Sequence, residues 1–165
     1  MRTDPPEPTA LMNRIAPLLT TSNILLDADA TTKKRLFEQI AEMFERHGQL
    51  SKTIVFDSLS ARERLGSTAL GQGVAIPHGR IKGLANAIGA FVRPQQPIPF
   101  DAPDGRPVAQ AFVLLVPEKA TEEHLQLLSQ LAQMFSDKAF RDRLAESTDA
   151  EALHALFTDW APNPQ

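Results

Sequence analysis

Residues 31–47 place Leu36, Ile40, Met43 and Phe44 at helical spacing ahead of Gly48, a pattern that predicts an amphipathic helix with a glycine stop. A second helix is expected over 51–65, with Ser51 as N-cap and Gly66 at its end; its start, Thr53-Ile54-Val55-Phe56, also has strand propensity. Residues 87–92 and 111–116 are near-continuous apolar runs, as strands covered on both faces should be, and they form the predicted sheet centre. Ile24-Leu25-Leu26 and Val74-Ala75-Ile76 are shorter candidate strands, and residues 11–19 predict a short helix broken around Pro17. Between the two central strands, residues 94–106 read as a proline-rich excursion turning at Asp104-Gly105, its pairing confined to an edge.

The C-terminal third is helical. Thr121 is read as the cap of a helix with Glu122 and Glu123 in its first turn and Leu125, Leu128, Ala132 and Phe135 on its buried face. A short helix follows over 138–144. Thr148-Asp149-Ala150-Glu151 has the capping-box pattern ahead of a last helix buried through Leu153, Leu156, Phe157 and Trp160. Interleaved strands and helices predict an α/β fold, a single domain with a mixed β-sheet and helices packed on both faces. The connections after Val92 leave no room for a crossover helix, so that part of the sheet should pair antiparallel. The domain is expected to span 11–160, after a flexible proline-rich segment, 1–10, and before a short tail, 161–165.

Composition narrows the function classes. A chain of 165 residues, 42% hydrophobic and 22% charged, fits one globular domain. A net charge of -3 gives no electrostatic reason for nucleic acid or an anionic membrane as the main partner. No cysteine is present, which removes disulfides and thiolate metal sites. No stretch is apolar for long enough to span a bilayer and the start lacks a secretory pattern, so the expectation is a cytoplasmic protein without stable membrane insertion.

Among the four histidines, His47 precedes a glycine that stops a helix and suits the helix C-terminus, and His154 is expected on the solvated side of the last helix. His78 is the stronger candidate. Gly71-Gln72-Gly73-Val74-Ala75-Ile76-Pro77-His78-Gly79-Arg80 delivers its imidazole from the end of an apolar run into a glycine-edged turn, where working residues are common. A neutral imidazole there is a good nucleophile; the alternative is a turn histidine bonded to nearby backbone. His124 lies in a helix first turn, which favours a bound anion, although a histidine at a helix start is more often incidental.

Several look-alikes fail. Gly66-Ser67-Thr68-Ala69-Leu70-Gly71 has P-loop glycine spacing, but Gln72 and Gly73 stand where Lys and Ser/Thr are required. Gly71-Gln72-Gly73 lacks the third glycine of a dinucleotide fingerprint and precedes its strand. No His-Glu-x-x-His and no Gly-x-Ser-x-Gly occurs. What remains is an imidazole flanked by Arg62, Arg64, Ser67, Thr68 and Arg80, a set of cations and hydroxyls suited to phosphate.

Arg62-Glu63-Arg64-Leu65-Gly66-Ser67-Thr68 followed by Gly73-Val74-Ala75-Ile76-Pro77-His78-Gly79 strongly resembles the IIA component of the phosphoenolpyruvate-dependent phosphotransferase system. The likeness is to the fructose/mannitol class and its nitrogen-regulatory branch, and it runs from about Leu11 to Trp160. It implies that His78 accepts a phosphoryl group from a phosphorylated HPr-like carrier, that Arg62 stabilises the phosphate, and that His124 is the neighbouring, hydrogen-bonding histidine. It also implies that Ser67 and Thr68 line the pocket, with Arg64 and Arg80 as further cations. No metal, nucleotide or other cofactor is expected. A free-standing chain of this kind implies a regulator whose phosphorylation state changes its binding to target proteins. A sugar-uptake phosphocarrier, or a binding module that has lost transfer, are the alternatives.

Overall fold

The computed structural model describes residues 13–47, 50–119 and 121–161. The expected lead-in 1–10, the glycine stop at Gly48 and most of the tail lie outside the described residues. Along the chain the elements are β1 (Ile24–Ala28), α1 (Lys33–Arg46), α2 (Lys52–Arg64), β2 (Ala69–Gly71), β3 (Val74–Ala75), β4 (His78–Ile81), β5 (Ile88–Pro94), β6 (Gln110–Pro117), α3 (Thr121–Ser136), α4 (Lys138–Glu146) and α5 (Ala150–Asp159). Among the described residues six strands form one mixed sheet in the order β1-β5-β6-β3-β2, with β4 also paired to β6. β5 and β6 pair antiparallel, as expected from a connection without a helix, whereas β1 lies parallel to β5, and β3 and β4 parallel to β6.

Both faces of the sheet are covered, which explains the unbroken apolar runs of β5 and β6. Val113 and Leu115 of β6 join Phe37, Ile40, Phe44, Val55 and Leu59 from α1 and α2 in one core. Phe112, Leu114 and Val116, the alternate residues, join Leu127, Leu131, Phe140 and Phe157 from α3, α4 and α5 in the other.

Several local expectations need correction. Residues 13–23 hold two 3-10 turns, Ala16–Leu18 and Thr21–Asn23, in place of a broken α-helix. Pro17 lies in the first of these, and Asn13 Oδ1 accepts from the backbone N–H groups of Ile15 and Ala16. Thr121 is the first helical residue of α3, not its cap, and the buried stripe of α3 is rotated relative to the expected face. His124, Leu127, Leu131, Met134 and Phe135 point inward, whereas Leu125 is 67% exposed and Ala132 is exposed. Leucines occur on more than one side of this helix, so spacing alone does not choose the face. Asp149, not Thr148, caps α5, its carboxylate accepting from Ala152 N at 2.7 Å. His154 is half-buried, its Nε2 bonded to the Leu19 carbonyl at 2.8 Å, so it is not a solvated surface residue. His47 is the C-cap residue of α1.

The chain around His78 departs furthest from expectation. Residues 78–81 are strand β4, paired residue for residue with Leu114–Pro117 of β6, and not a turn opened by Gly79. The turn lies earlier, at Gly71-Gln72-Gly73 between β2 and β3, with φ of 94°, 58° and 79°. Gly79 is needed for packing: a Cβ there would strike the Ser58 side chain of α2. The 94–106 excursion makes a single bridge, Ile98 to Val108, and Asp104 ties it to the β2–β3 turn by accepting from Gln72 N at 2.9 Å.

Candidate functional site

β3 and β4 are two halves of one line alongside β6, interrupted at Ile76-Pro77. Pro77 has no N–H to donate, but its carbonyl accepts from Leu114 N at 3.0 Å, so the pairing with β6 continues into β4. β4 pairs on one side only and therefore lies at a sheet edge. His78 shares its register with Leu114 and Arg80 with Val116, which directs both side chains to the α3 face. α3 follows β6 after a short loop and returns over the sheet, setting His124 against His78. The two rings meet edge to face, with centroids 5.3 Å apart and planes at 73°. From the other face, the C-terminal turn of α2 brings Arg62 and Leu65 round the edge.

These elements enclose an open depression of about 600 Å³ lined by Asp57, Ser58, Ala61, Arg62 and Leu65 of the α2 segment, His78, Gly79 and Arg80 of β4, and His124. His78 and His124 retain only 9% and 8% of their surfaces, so each ring is walled in except toward this opening.

The hydrogen bonds fix what each ring can do. His78 Nδ1 lies 2.7 Å from the carbonyl oxygen of Ile76. A carbonyl only accepts, so Nδ1 carries the hydrogen and Nε2 keeps its lone pair. Nε2 has no hydrogen bond among the described residues and is not sealed from solvent. Burial pushes the His78 ring below its ordinary value of 6.5 and nearby Arg62 adds to this, against the opposing pull of the Ile76 carbonyl and Glu63. The ring is thus neutral at neutral pH. His124 is also held below 6.5, first by burial and then by the neighbouring His78, Arg80 and Arg62. Among the described residues its Nδ1 is buried without a partner. A stranded acceptor is better tolerated than a stranded donor, so the hydrogen belongs on Nε2. One ring therefore offers a lone pair and the other an N–H.

Arg62 Nη1 donates to the Gly66 carbonyl at 2.8 Å and Arg80 Nη1 to the Glu118 carbonyl at 3.3 Å. Each tether leaves the rest of the guanidinium fork free to meet an anion. The other expected binding residues lie elsewhere. Arg64 is two residues from Arg62 on α2, hence on the far side of the helix, and it lines a separate hollow with Lys33, Lys34 and Phe37. Ser67 donates to the Phe100 carbonyl, and Thr68 is buried with its hydroxyl 2.7 Å from Glu63 Oε1. Neither lines the depression. Asp57, Ser58, Ala61 and Leu65 also line the depression and are not among the expected site residues; the signal for Leu65 is an apolar residue among charges at a helix end. Among the described residues no group of three or more metal-binding side chains occurs, and no helix is long and apolar enough to cross a membrane.

Comparison with known proteins places this geometry in context. Residues 17–160 match the family model described as "Phosphoenolpyruvate-dependent sugar phosphotransferase system, EIIA 2". A nitrogen regulatory protein of Pseudomonas aeruginosa is 45% identical over 149 residues, covering 90% of this chain and 97% of that one. The crystal structure of nitrogen regulatory protein IIA-Ntr from Neisseria meningitidis superposes with a TM-score of 0.81 at 52% identity, covering 86% of this chain and 97% of that one. A fructose-specific EIIA component of Haloferax volcanii is 28% identical over 137 residues, covering 82% and 89% of the two chains. An edge-strand histidine faced by a second imidazole and two guanidinium groups, on a sheet of this topology, therefore sits in a chain that belongs to the EIIA type 2 family of the phosphotransferase system, in its nitrogen-regulatory branch.

Proposed function

We propose that this protein accepts a phosphoryl group on Nε2 of His78 from a phosphorylated histidine of an HPr-like carrier, in the cytoplasm, and that its phosphorylation state regulates its binding to target proteins. The observation that carries the proposal is the 2.7 Å bond from His78 Nδ1 to the Ile76 carbonyl, which leaves Nε2 as the only nucleophilic ring nitrogen. The Nε2 lone pair attacks phosphorus, the bond from phosphorus to the carrier's ring nitrogen breaks, and its electron pair returns to the carrier imidazole. His78 keeps its Nδ1 hydrogen throughout, and the Ile76 carbonyl steadies the positive character that the phosphorylated ring acquires. The protein's part is alignment and neutralisation: Arg62 and Arg80 face the shared phosphoryl charge, and His124 Nε2–H donates to it.

The surroundings suit a protein donor. Leu65 is 84% exposed on the rim of the depression, and Ile54 is 50% exposed on the same side of α2. Such an apolar rim around a charged centre matches the anatomy of a transient interface. A dianion placed there alters the same surface that a target would contact, which is how phosphorylation would switch binding.

Incubation with phosphoenolpyruvate, the first enzyme of the relay and its carrier should leave acid-labile, alkali-stable phosphate on the protein, and His78→Ala should abolish it without unfolding the chain. Persistence of label on that variant refutes the assignment. A sugar-uptake role is the second reading, favoured by the likeness to the fructose-specific EIIA component. Onward passage of phosphate to a fructose-type membrane component would select it over regulation.

A further inference from the structure

Glu63 sits next to Arg62 in the sequence, yet it lines no part of the depression and its side chain is only 6% exposed. Its carboxylate is fully engaged. Oε2 accepts from Lys33 Nζ and from Thr68 N, both at 3.0 Å, and Oε1 accepts from the Thr68 hydroxyl at 2.7 Å. The backbone closes around the same point, because Gly66 N donates to the Glu63 carbonyl at 3.2 Å. The loop from Gly66 to Thr68 is thus clamped to the end of α2 and, through Lys33, to the start of α1. Ser67 secures its outer side, donating to the Phe100 carbonyl and accepting from Ala69 N.

Two bonds run from this loop to the reacting groups. The Gly66 carbonyl is the acceptor that tethers Arg62 Nη1 at 2.8 Å. The Thr68 carbonyl accepts from Ile76 N at 3.0 Å, and the carbonyl of the same Ile76 holds His78 Nδ1. One buried carboxylate therefore anchors both the guanidinium and, through two successive hydrogen bonds, the imidazole. A pair of carbonyls on a loose turn would leave both groups free to rotate, and displacements of about 1 Å at a transfer site are costly in rate.

We infer that Glu63, with Lys33 and Thr68, is a positioning residue: its clamp on the Gly66–Thr68 loop sets the tautomer of His78 and the orientation of Arg62. The inference rests on the phosphoryl-acceptor reading for its kinetic consequence, but not for its spectroscopic one. Histidine nitrogen resonances of the unphosphorylated protein should show His78 with its hydrogen on Nδ1. In Glu63→Ala and in the near-isosteric Thr68→Val, the two tautomers should exchange. With a saturating phosphorylated carrier, transfer to Glu63→Ala should fall at least tenfold while the carrier concentration at half-saturation stays within about twofold. Glu63→Gln, which retains an acceptor for Thr68 N and Lys33, should recover part of the loss.

A folded Glu63→Ala protein whose His78 resonances match the wild type overturns the inference, whatever its transfer rate. If that variant does not fold, Thr68→Val is judged by the same resonances. A wild-type protein that takes up no phosphate, yet loses its fixed His78 tautomer in these variants, would sink the functional reading and leave the positioning role standing.

Discussion

At the scale of single residues, the site depends on an imidazole kept neutral and kept in one tautomer. Burial and neighbouring cations hold both His78 and His124 below 6.5, and two rings 5.3 Å apart oppose joint protonation. Both should therefore titrate below 6.5 when followed by NMR, and a midpoint above that value for His78 would contradict the burial argument. The sign for stability follows. The unfolded chain takes up protons at these positions before the folded one does as pH falls. The stability linked to the neutral rings is therefore fully present above about pH 6.5 and is lost as the pH drops through the folded-state values. If His78 is the phosphoryl acceptor as proposed, acceptance should likewise persist somewhat below pH 6.5, because its ring stays unprotonated there. His78 stands out in the sequence as the candidate acceptor through its Ile-Pro-His-Gly setting. The carbonyl that fixes its tautomer does not, since a hydrogen bond two residues back depends on the break in the strand at Pro77.

At the scale of elements, periodicity was informative wherever a single face or both faces were buried without ambiguity. α1, β5 and β6 lie close to their expected positions for that reason. It failed at β4, whose His78-Gly79-Arg80-Ile81 run contains a glycine, a cation and a histidine and no alternating apolar signal. That strand is fixed by its tertiary partners, β6 on one side and α2 above it, which override local propensity. Gly79 tests this. Gly79→Ala drives a methyl group into Ser58 and should destabilise the fold by about 1–3 kcal/mol in chemical denaturation, with a parallel loss of phosphoryl acceptance. An unchanged denaturation midpoint would mean that α2 can retreat from β4. The misread caps have a simpler cause, because Thr148 and Asp149 are both good caps and only the backbone decides between them. Asp149→Ala should cost about 1 kcal/mol, whereas Thr148→Ala should be nearly neutral; equal effects in thermal unfolding would reverse that assignment. The same limit applied to Ser67 and Thr68, whose hydroxyls suit a phosphate as well as they suit the Phe100 carbonyl and Glu63.

At the scale of the whole molecule, a sheet covered on both faces leaves its edge at β4 as the place where two helices from opposite layers converge on one strand. That arrangement brings Arg62 and His124, 62 positions apart in the sequence, to a histidine supplied by neither helix. It also leaves an exposed apolar rim that no internal packing requires. Leu65→Glu should keep the fold and the maximal transfer rate but raise the carrier concentration needed for half-saturation about tenfold, equivalent to about 1.4 kcal/mol of lost docking; an unchanged requirement would exclude α2 from the interface. Which ring nitrogen carries the phosphoryl group is read by nitrogen-15 and phosphorus NMR of the phosphorylated protein. The expected result is a single phosphohistidine at position 78 with phosphorus bonded to Nε2 and hydrogen retained on Nδ1. Phosphorus on Nδ1, or on any residue other than His78, would contradict it.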